Sequence, residues 1–358
     1  MKLLFLFPYP LNESASQRFR FEQYFIVLQG NGFSIDTQSF WSEAAWKILY
    51  QPGKIWLKLI HFVAGYGRRF LLLLRVHTCS FVFIHRECTP VGPPVFEWVI
   101  AKLFRKKIIY DFDDAIWLPN TSIENKFVAA FKCHGKVKFI CRWSYKVSCG
   151  NHYLADYAKE FNTHTIVNPT TVDTEKLHNP VGYPSATDPA HVAIGWTGSH
   201  STLNYLTPLL PIIDSLSKRY PQLRLLVIAD KNPGFFLECL QFIQWSKENE
   251  IGDLMKIDIG IMPLTDNEWG KGKCGFKAIQ YMSLKKPALV SPVGVNSEIV
   301  DHGTNGFVCK TLEDWSNFLD YLILRPDECL AMGEKGREKV IRSYSVTSNA
   351  STFLALFE

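Results

Sequence analysis

The sequence predicts an α/β protein made of two successive doubly wound domains, and three observations carry that expectation. The chain has 358 residues, more than one hydrophobic core comfortably serves and enough for two domains of roughly 150–180 residues. Short apolar runs of strand length alternate with longer amphipathic ones, the pattern of βα units that feed parallel sheets. The alternation stops at NPVGYPSATDPA (179–190), a stretch dense in Pro and Gly and poor in large apolar residues, and then restarts. That stretch reads as the linker.

In the first half, 2–7 (KLLFLF) is a buried strand and 16–30 an amphipathic helix ending at Gly30 or Gly32. Strands follow at 33–39 and 81–85, a helix at 96–104 and a strand at 107–111; 146–148 and 165–168 close the first sheet. After the linker, 192–196 is a strand and 203–220 a helix that Pro221 stops, since proline offers no N–H to continue it. Strands at 223–229 and 258–262, a helix at 276–284 and strands at 287–291 and 307–309 complete the second sheet. Helices at 314–322, 326–341 and 347–357 end the chain. Two such domains form a cleft, and sheets of this kind bind ligands beyond the carboxyl ends of their strands.

Composition narrows the class. At 47% apolar and 20% charged, with no low-complexity tract, the chain is globular. Pro8 and Pro10 cut the opening apolar run short of a signal-peptide core, and no stretch reaches the 18 apolar residues of a spanning helix. Nine cysteines without a C-x-x-C pair fit free thiols in a reducing cytoplasm. The net charge of +5 is concentrated in the first half: 46–75 holds six Lys/Arg and no acid. Basic residues interleaved with Trp, Ile, Leu and Phe there suggest an amphipathic helix on an anionic membrane surface. The alternative is a helix packed on the first domain with its lysines in water. No motif or charge excess supports nucleic-acid binding.

The densest chemical signal is GKGKCGFKAIQYMSLKKPALVSPVGVNSEIVDHGTNGF, starting at Gly270. Gly-rich, Lys-rich sequence leads into a helix near Phe276, whose unpaired N–H groups favour an anion. Lys271, Lys273 and Lys277 add full charges, and the later P-V-G-V-N-S-E turn brings further backbone amides. The stretch lacks the G-x-x-x-x-G-K-[ST] of a P-loop nucleotidase.

This segment resembles the donor-binding half of glycosyltransferase family 4, retaining enzymes of the GT-B fold. WTGSHSTLNYL, VSCGNHYLADYAKEFNTHTIVNPTTVDTEKL, FVFIHREC and IIYDFDDAIW extend the resemblance at lower strength over nearly the whole chain. It implies two Rossmann-like domains facing across a cleft. Residues 1–180 would bind the acceptor and 190–340 the nucleotide sugar, leaving 341–358 as a last helix to pack back on the first domain. The family commonly carries two glutamates eight residues apart, where this chain has Gly272 and Gln280. Gln280 retains the capacity to hydrogen-bond a ribose; Gly272 has no side chain to offer.

The resemblance and the residues together nominate a site. His85, at the end of a strand, is expected to face the cleft and contact the donor sugar; Asp113 and Asp114 are candidate general bases or acceptor-orienting groups. The D-x-D of Asp111 to Asp113 also admits a metal-binding reading, but the GT-B pattern needs none, and neither metal nor cofactor is expected. Arg18, Ser199, Lys273, Lys277, Gln280, Asn296, Ser297 and Glu298 are the candidate donor and diphosphate ligands. The expected reaction moves a sugar from a nucleoside diphosphate sugar to a hydroxyl acceptor with retention. A lipid-linked or polysaccharide intermediate of cell-envelope glycan synthesis, met at the inner face of the cell membrane, is the expected acceptor. Two alternatives stand beside it: a nucleotide-sugar epimerase or hydrolase on the same fold, and a non-catalytic binding subunit.

Overall fold

The computed structural model describes residues 1–49, 51–119, 132–183 and 191–358, so segment 184–190 of the Pro/Gly-rich stretch lies outside the described residues. The chain divides into two compact units. Unit 1 is Met1–Thr170 with Asn349–Glu358, and unit 2 is Thr171–Ser348.

Unit 1 runs β1 (Lys2–Phe7), α1 (Ala15–Arg18), α2 (Phe25–Gly30), β2 (Ser34–Ser39), α3 (Glu43–Leu49), α4 (Ile55–Leu73) and β3 (Phe81–His85). It continues with α5 (Val95–Trp98), which passes into a π-helical turn (Val99–Leu103), then β4 (Lys107–Phe112) and α6 (Lys136–Trp143). β5 (Lys146–Cys149), α7 (His152–Lys159) and β6 (Thr165–Val167) complete the series. All six strands pair in parallel in the order β2-β1-β3-β4-β5-β6. The inner strands read as unbroken apolar runs because both their faces are covered; Leu3, Leu4, Phe5, Leu6 and Phe7 are all buried. The strand order reverses between β1 and β3, so the switch point of this sheet lies beyond Phe7 and His85.

Two expected elements of unit 1 differ in form. The helix expected over 16–30 is broken, because Gln17, Arg18, Phe19, Arg20 and Phe21 are all buried in succession. One helix face cannot bury five consecutive residues, and the chain turns instead through a 3-10 segment at Glu22–Tyr24. The basic stretch 46–75 forms two helices rather than one, parted at Pro52-Gly53, where Gly53 takes φ +73°.

Unit 2 begins with β7 (Val192–Gly198), α8 (Leu210–Arg219), β8 (Leu223–Ala229), β9 (Leu240–Gln244), α9 (Glu250–Met255) and β10 (Ile259–Met262). It goes on through α10 (Glu268–Lys271), α11 (Phe276–Ser283), β11 (Ala288–Val290), α12 (Asn296–Ile299) and β12 (Gly306–Val308). The helices α13 (Leu312–Ile323) and α14 (Pro326–Ser343) come next, and α15 (Val346–Leu354) carries the chain back into unit 1. The strand order is β12-β11-β10-β7-β8-β9, all parallel. Counted from β7 this is the Rossmann order 3-2-1-4-5-6, with its switch point between β7 and β10. The helix expected from 203 starts only at Leu210, with Pro211 in its first turn, and 3-10 turns occupy His200–Tyr205 and Thr207–Leu209 before it. β9 has no counterpart among the expected elements; it is an edge strand whose LQFIQ pattern is only half-buried.

Gly260 on β10 sets how near α11 comes to the sheet. A Cβ there would collide with the Tyr281 ring, so only glycine permits the approach. Tyr281 uses it to accept at its hydroxyl from Thr197 N at 3.0 Å, which ties α11 to the end of β7.

Candidate active site

In unit 2 the switch point sets the carboxyl end of β7 beside the start of α11. α11 is entered through Gly275, whose φ of +65° suits glycine and whose Cβ, if present, would collide with Ile299 Cδ1. Two residues into the helix, Lys277 lays its ammonium 4.6 Å from the ring centroid of Trp196, the buried tryptophan of β7. Lys273, just before the helix, lies 5.0 Å over Trp269. Burial and, after it, the neighbouring charge of Lys273 bring the Lys277 pKa down to about 7. Lys277 is half-buried and its ammonium is in no ion pair among the described residues.

Two buried polar atoms at this end of the sheet have no hydrogen-bond partner among the described residues: the Trp196 indole N–H and Asn296 Oδ1. Asn296 is fixed by its other amide atom, which donates to Ser291 O at 3.1 Å, and its Oδ1 lies 3.4 Å from where a Gly275 Cβ would be. An unpaired donor and an unpaired acceptor near a lysine of depressed pKa are hydrogen-bonding and charge capacity that the described fold leaves unused. Ser297 and Glu298 are at the same turn, and Glu298 O accepts from Lys339 Nζ at 2.6 Å. Ser199, beyond β7, shares a hydrogen bond with Ser201 at 2.8 Å in an exposed position. His200 donates from its backbone N–H and its ring to the two oxygens of Asp230, each at 2.6 Å, joining the ends of β7 and β8.

Gln280 departs from its expected role. It is 3% exposed, and its amide lies 3.4 Å from His178 Nε2 rather than open to a ribose. The reason is local: residues 278–283 of α11 are all buried, so this turn of the helix is packing surface.

In unit 1 the carboxyl ends of β3 and β4 meet in a buried polar network. Asp111, one residue before the end of β4, is fully buried, and Arg20, His85 and Ser148 converge on it. Arg20 pairs with Asp111 through its guanidinium, His85 Nδ1 donates to Oδ2 at 2.8 Å, and Ser148 Oγ donates to Oδ1 at 2.6 Å. Arg20 also donates to Asn168 O, so one arginine ties β4 to the end of β6. Burial alone would raise the Asp111 pKa, but Arg20 and His85 outweigh it and hold the carboxyl below the usual carboxylate range.

Three first-unit expectations are corrected by this arrangement. His85, expected to face the cleft and contact the donor sugar, is fully buried and clamped by Asp111, with Nε2 3.5 Å from Ser16 Oγ. Asp113 and Asp114 are both spent on Arg86, at 2.7 Å and 2.9 Å, which makes either a poor general base. Arg86 draws the Asp113 pKa down against the upward pull of burial. With Asp111 turned to Arg20 and His85, all three carboxylates of the D-x-D region face cations. Arg18 is buried with its guanidinium 4.8 Å over the Phe19 ring, not extended towards a ligand. The central residue of this network, Asp111, enters the sequence reading only as the first acid of the D-x-D, not as the partner of Arg20 and His85. An acid inside the apolar strand IIYDF has to be paired when buried, and that is the available signal.

Beyond β1 and β3 lies a cavity of about 60 Å³, lined by Pro8, Tyr9, Arg86, Glu87, His134 and Lys136 among others. Its charges are largely matched, since Lys136 pairs with Glu87 at 2.7 Å.

Residues 236–339 match the family model described as Glycosyl transferases group 1, which takes in α11, both lysines and the Asn296 turn. They form a glycosyltransferase group 1 domain. No curated protein matches the chain in sequence. Among solved structures, sucrose-phosphate synthase from Thermosynechococcus elongatus is similar, with a TM-score of 0.69 at 14% identity, covering 100% of this chain and 98% of that one. A glycosyltransferase from Rickettsia africae aligns with a TM-score of 0.66 at 14% identity over 99% and 97% of the two chains. HepE of Anabaena, solved with UDP and glucose, aligns with a TM-score of 0.61 at 13% identity over 99% and 98%. The group 1 domain thus sits in a chain of GT-B fold, with two Rossmann-like units.

Proposed function

We propose that the protein transfers a sugar, with retention, from a nucleoside diphosphate sugar to a hydroxyl acceptor. Unit 2 holds the donor in this reading. The carrying observation is Lys277: a half-buried lysine at the start of α11, over Trp196, beside an unpaired indole N–H and an unpaired amide oxygen. As the glycosidic bond breaks, negative charge gathers on the departing diphosphate. In this reading Lys277, Lys273 and the N–H groups of the first turn of α11, which no side chain caps, stabilise it. Trp196 Nε1 donates to the ligand and Asn296 Oδ1 accepts from it.

Unit 1 takes the acceptor, a lipid-linked or polysaccharide intermediate of cell-envelope glycan synthesis. Asp111, itself paired with Arg20, fixes the His85 ring through Nδ1 and leaves Nε2 to act on the Ser16 side. The reading includes the inner, cytoplasmic face of the cell membrane as the place of action and residues 46–75 as the membrane contact. HepE, of like fold, was solved with UDP-glucose, which makes that donor the first to try.

A thermal-shift screen over UDP-, GDP-, ADP- and dTDP-sugars, each with and without chelator, tests the donor half. Stabilisation by one base without metal, lost in Lys277→Met, supports it; no stabilisation by any of them refutes it. One observation favours a second reading, a non-catalytic binding subunit: Gly272 has no side chain and Gln280 is buried where the family carries glutamates. Donor binding without sugar transfer to any extracted acceptor would select it. Isomerised or stoichiometrically hydrolysed donor, formed with no acceptor present, would select the epimerase or hydrolase alternative instead.

A further inference from the structure

α4 is amphipathic in the unusual sense. Its inward face is made of Gly65, Arg69, Leu72 and their neighbours. Gly65 sits against the Phe40 ring, which a Cβ would approach to 2.7 Å. Arg69, 1% exposed, donates to the carbonyls of Phe7, Gln38 and Cys88. A glycine and a hydrogen-bonded arginine therefore hold the helix to unit 1. The outward face carries Trp56, Ile60, Val63, Phe70 and Leu74, spaced three, four or seven apart and 61–78% exposed. Lysines on a water-facing side would have made this an ordinary packed helix; the structure puts the apolar stripe there instead.

A second element widens the face. Phe70 packs on Phe96 of α5 at 5.1 Å between ring centroids. α5 and its π-helical turn add exposed Val95, Trp98 and Leu103, the last at 67%. The charge is one-sided as well. From 44 to 110 the only acids are Glu87, paired with Lys136, and Glu97, which is buried. Lys54, Arg75, Lys102 and Arg105 are exposed around the stripe. A contiguous apolar surface ringed by cations marks an interaction site, and its chemistry matches an anionic lipid interface. A second copy fits less well, because isologous pairing of the stripe would oppose its own basic flanks. No helix among the described residues is long and apolar enough to cross a membrane.

We infer that α4 and the α5 segment form one docking face that lies flat on an anionic bilayer. The stripe from Trp56 to Leu74 and the pair Trp98 and Leu103 enter the acyl boundary, while the surrounding Lys and Arg meet lipid phosphates. This deepens the membrane element of the proposed function and rests on nothing in the donor chemistry, so donor binding serves as an internal control.

The test is flotation of the full chain with phosphatidylcholine vesicles made with and without phosphatidylglycerol. Wild type is expected to float with the anionic vesicles only. Ile60→Asp with Val63→Asp, both surface changes, reduces partitioning by on the order of a hundredfold while the melting temperature and its nucleotide-sugar shift stay at wild-type values. Trp98→Ser with Leu103→Asp also weakens binding if the α5 segment belongs to the face. Lys54→Gln with Arg75→Gln lowers binding about 30-fold and flattens its salt dependence. Three results overturn the inference: no flotation of wild type, undiminished flotation of the Asp variant, or a soluble dimer that the Asp variant splits. Undiminished flotation of the Trp98/Leu103 variant removes α5 from the face.

Discussion

Lys277 is expected to make donor binding proton-linked. In the free protein its pKa is brought down to about 7 by burial and by Lys273. A bound diphosphate favours the charged form and lifts that value back towards the ordinary lysine range. Below pH 7 the lysine is already charged, so affinity is flat. Above it, binding must take up a proton, and each further pH unit weakens association up to tenfold. Between pH 6 and pH 8.5 the dissociation constant should therefore rise about 30-fold, about 2 kcal/mol. Isothermal titration with a nucleotide sugar, whose diphosphate does not itself titrate in this range, reads the effect. Repeating it in buffers of different ionisation enthalpy counts the proton. Lys277→Arg keeps the charge at every pH and should flatten the profile; Lys277→Met should bind weakly and flatly. A wild-type constant that moves less than about threefold, or an arginine variant that keeps the slope, refutes the assignment. The same lysine has the opposite consequence for the unliganded fold. Its folded pKa lies below the ordinary lysine value of 10.5, so the unfolded chain holds more protons between about 7 and 10.5, and stability rises with pH across that window. Because the side chain is half-buried rather than sealed, the rise relative to Lys277→Met is held to about 2 kcal/mol.

Gly275→Ala should cost about 2–4 kcal/mol in urea denaturation, from the left-handed backbone and the clash with buried Ile299. Ile299→Val removes the clashing Cδ1, so the double variant should recover part of that loss; strict additivity would show that the contact is not the cause. Asp111→Asn strands the Arg20 charge in the interior and should destabilise unit 1 by about 3–5 kcal/mol. The Asp111 carboxyl is depressed in the fold, so its contribution is complete above the unfolded carboxylate pKa and disappears as pH falls through the folded value. The difference between wild type and Asp111→Asn should accordingly shrink in acid, and a gap that stays constant to the lowest measurable pH would contradict it. Arg86→Met leaves Asp113 and Asp114 facing each other without their shared cation. Its acid titration, followed by NMR, should show at least one of the two carboxyls raised, and two unmoved carboxyls would mean the ion pair is weak.

Much of the architecture is readable because burial on both sides of a parallel sheet leaves a plain mark. KLLFLF and LRLLVIA contain almost nothing but strand-forming apolar residues, and both form strands inside their sheets. The lysine-bearing helix start at Phe276 is readable too, since Gly275 and the run after it set its place. The unreadable parts depend on partners distant in sequence. Nothing around His85 announces that Asp111, itself held by Arg20, clamps it, and nothing around Asp113 and Asp114 shows that Arg86 consumes both. β9 leaves little trace because an edge strand need satisfy only one neighbour and buries little. The orientation of the basic helix is open in the sequence, and only packing on Phe40 and the carbonyls around Arg69 decides which side faces out.

The return of the chain into unit 1 imposes an order on synthesis. Phe353 stacks on Tyr24 at 4.1 Å, and Phe357 packs among Phe5, Phe33, Phe81 and Phe83. These aromatic partners leave the ribosome only after the whole of unit 2 has emerged. The nascent amino-terminal sheet must therefore wait with an open aromatic seam while the second sheet is made, and unit 2 is the first body able to finish folding. A translating ribosome stalled between the two would present that seam to chaperones, and a premature stop codon after Ser345 would leave it open for good.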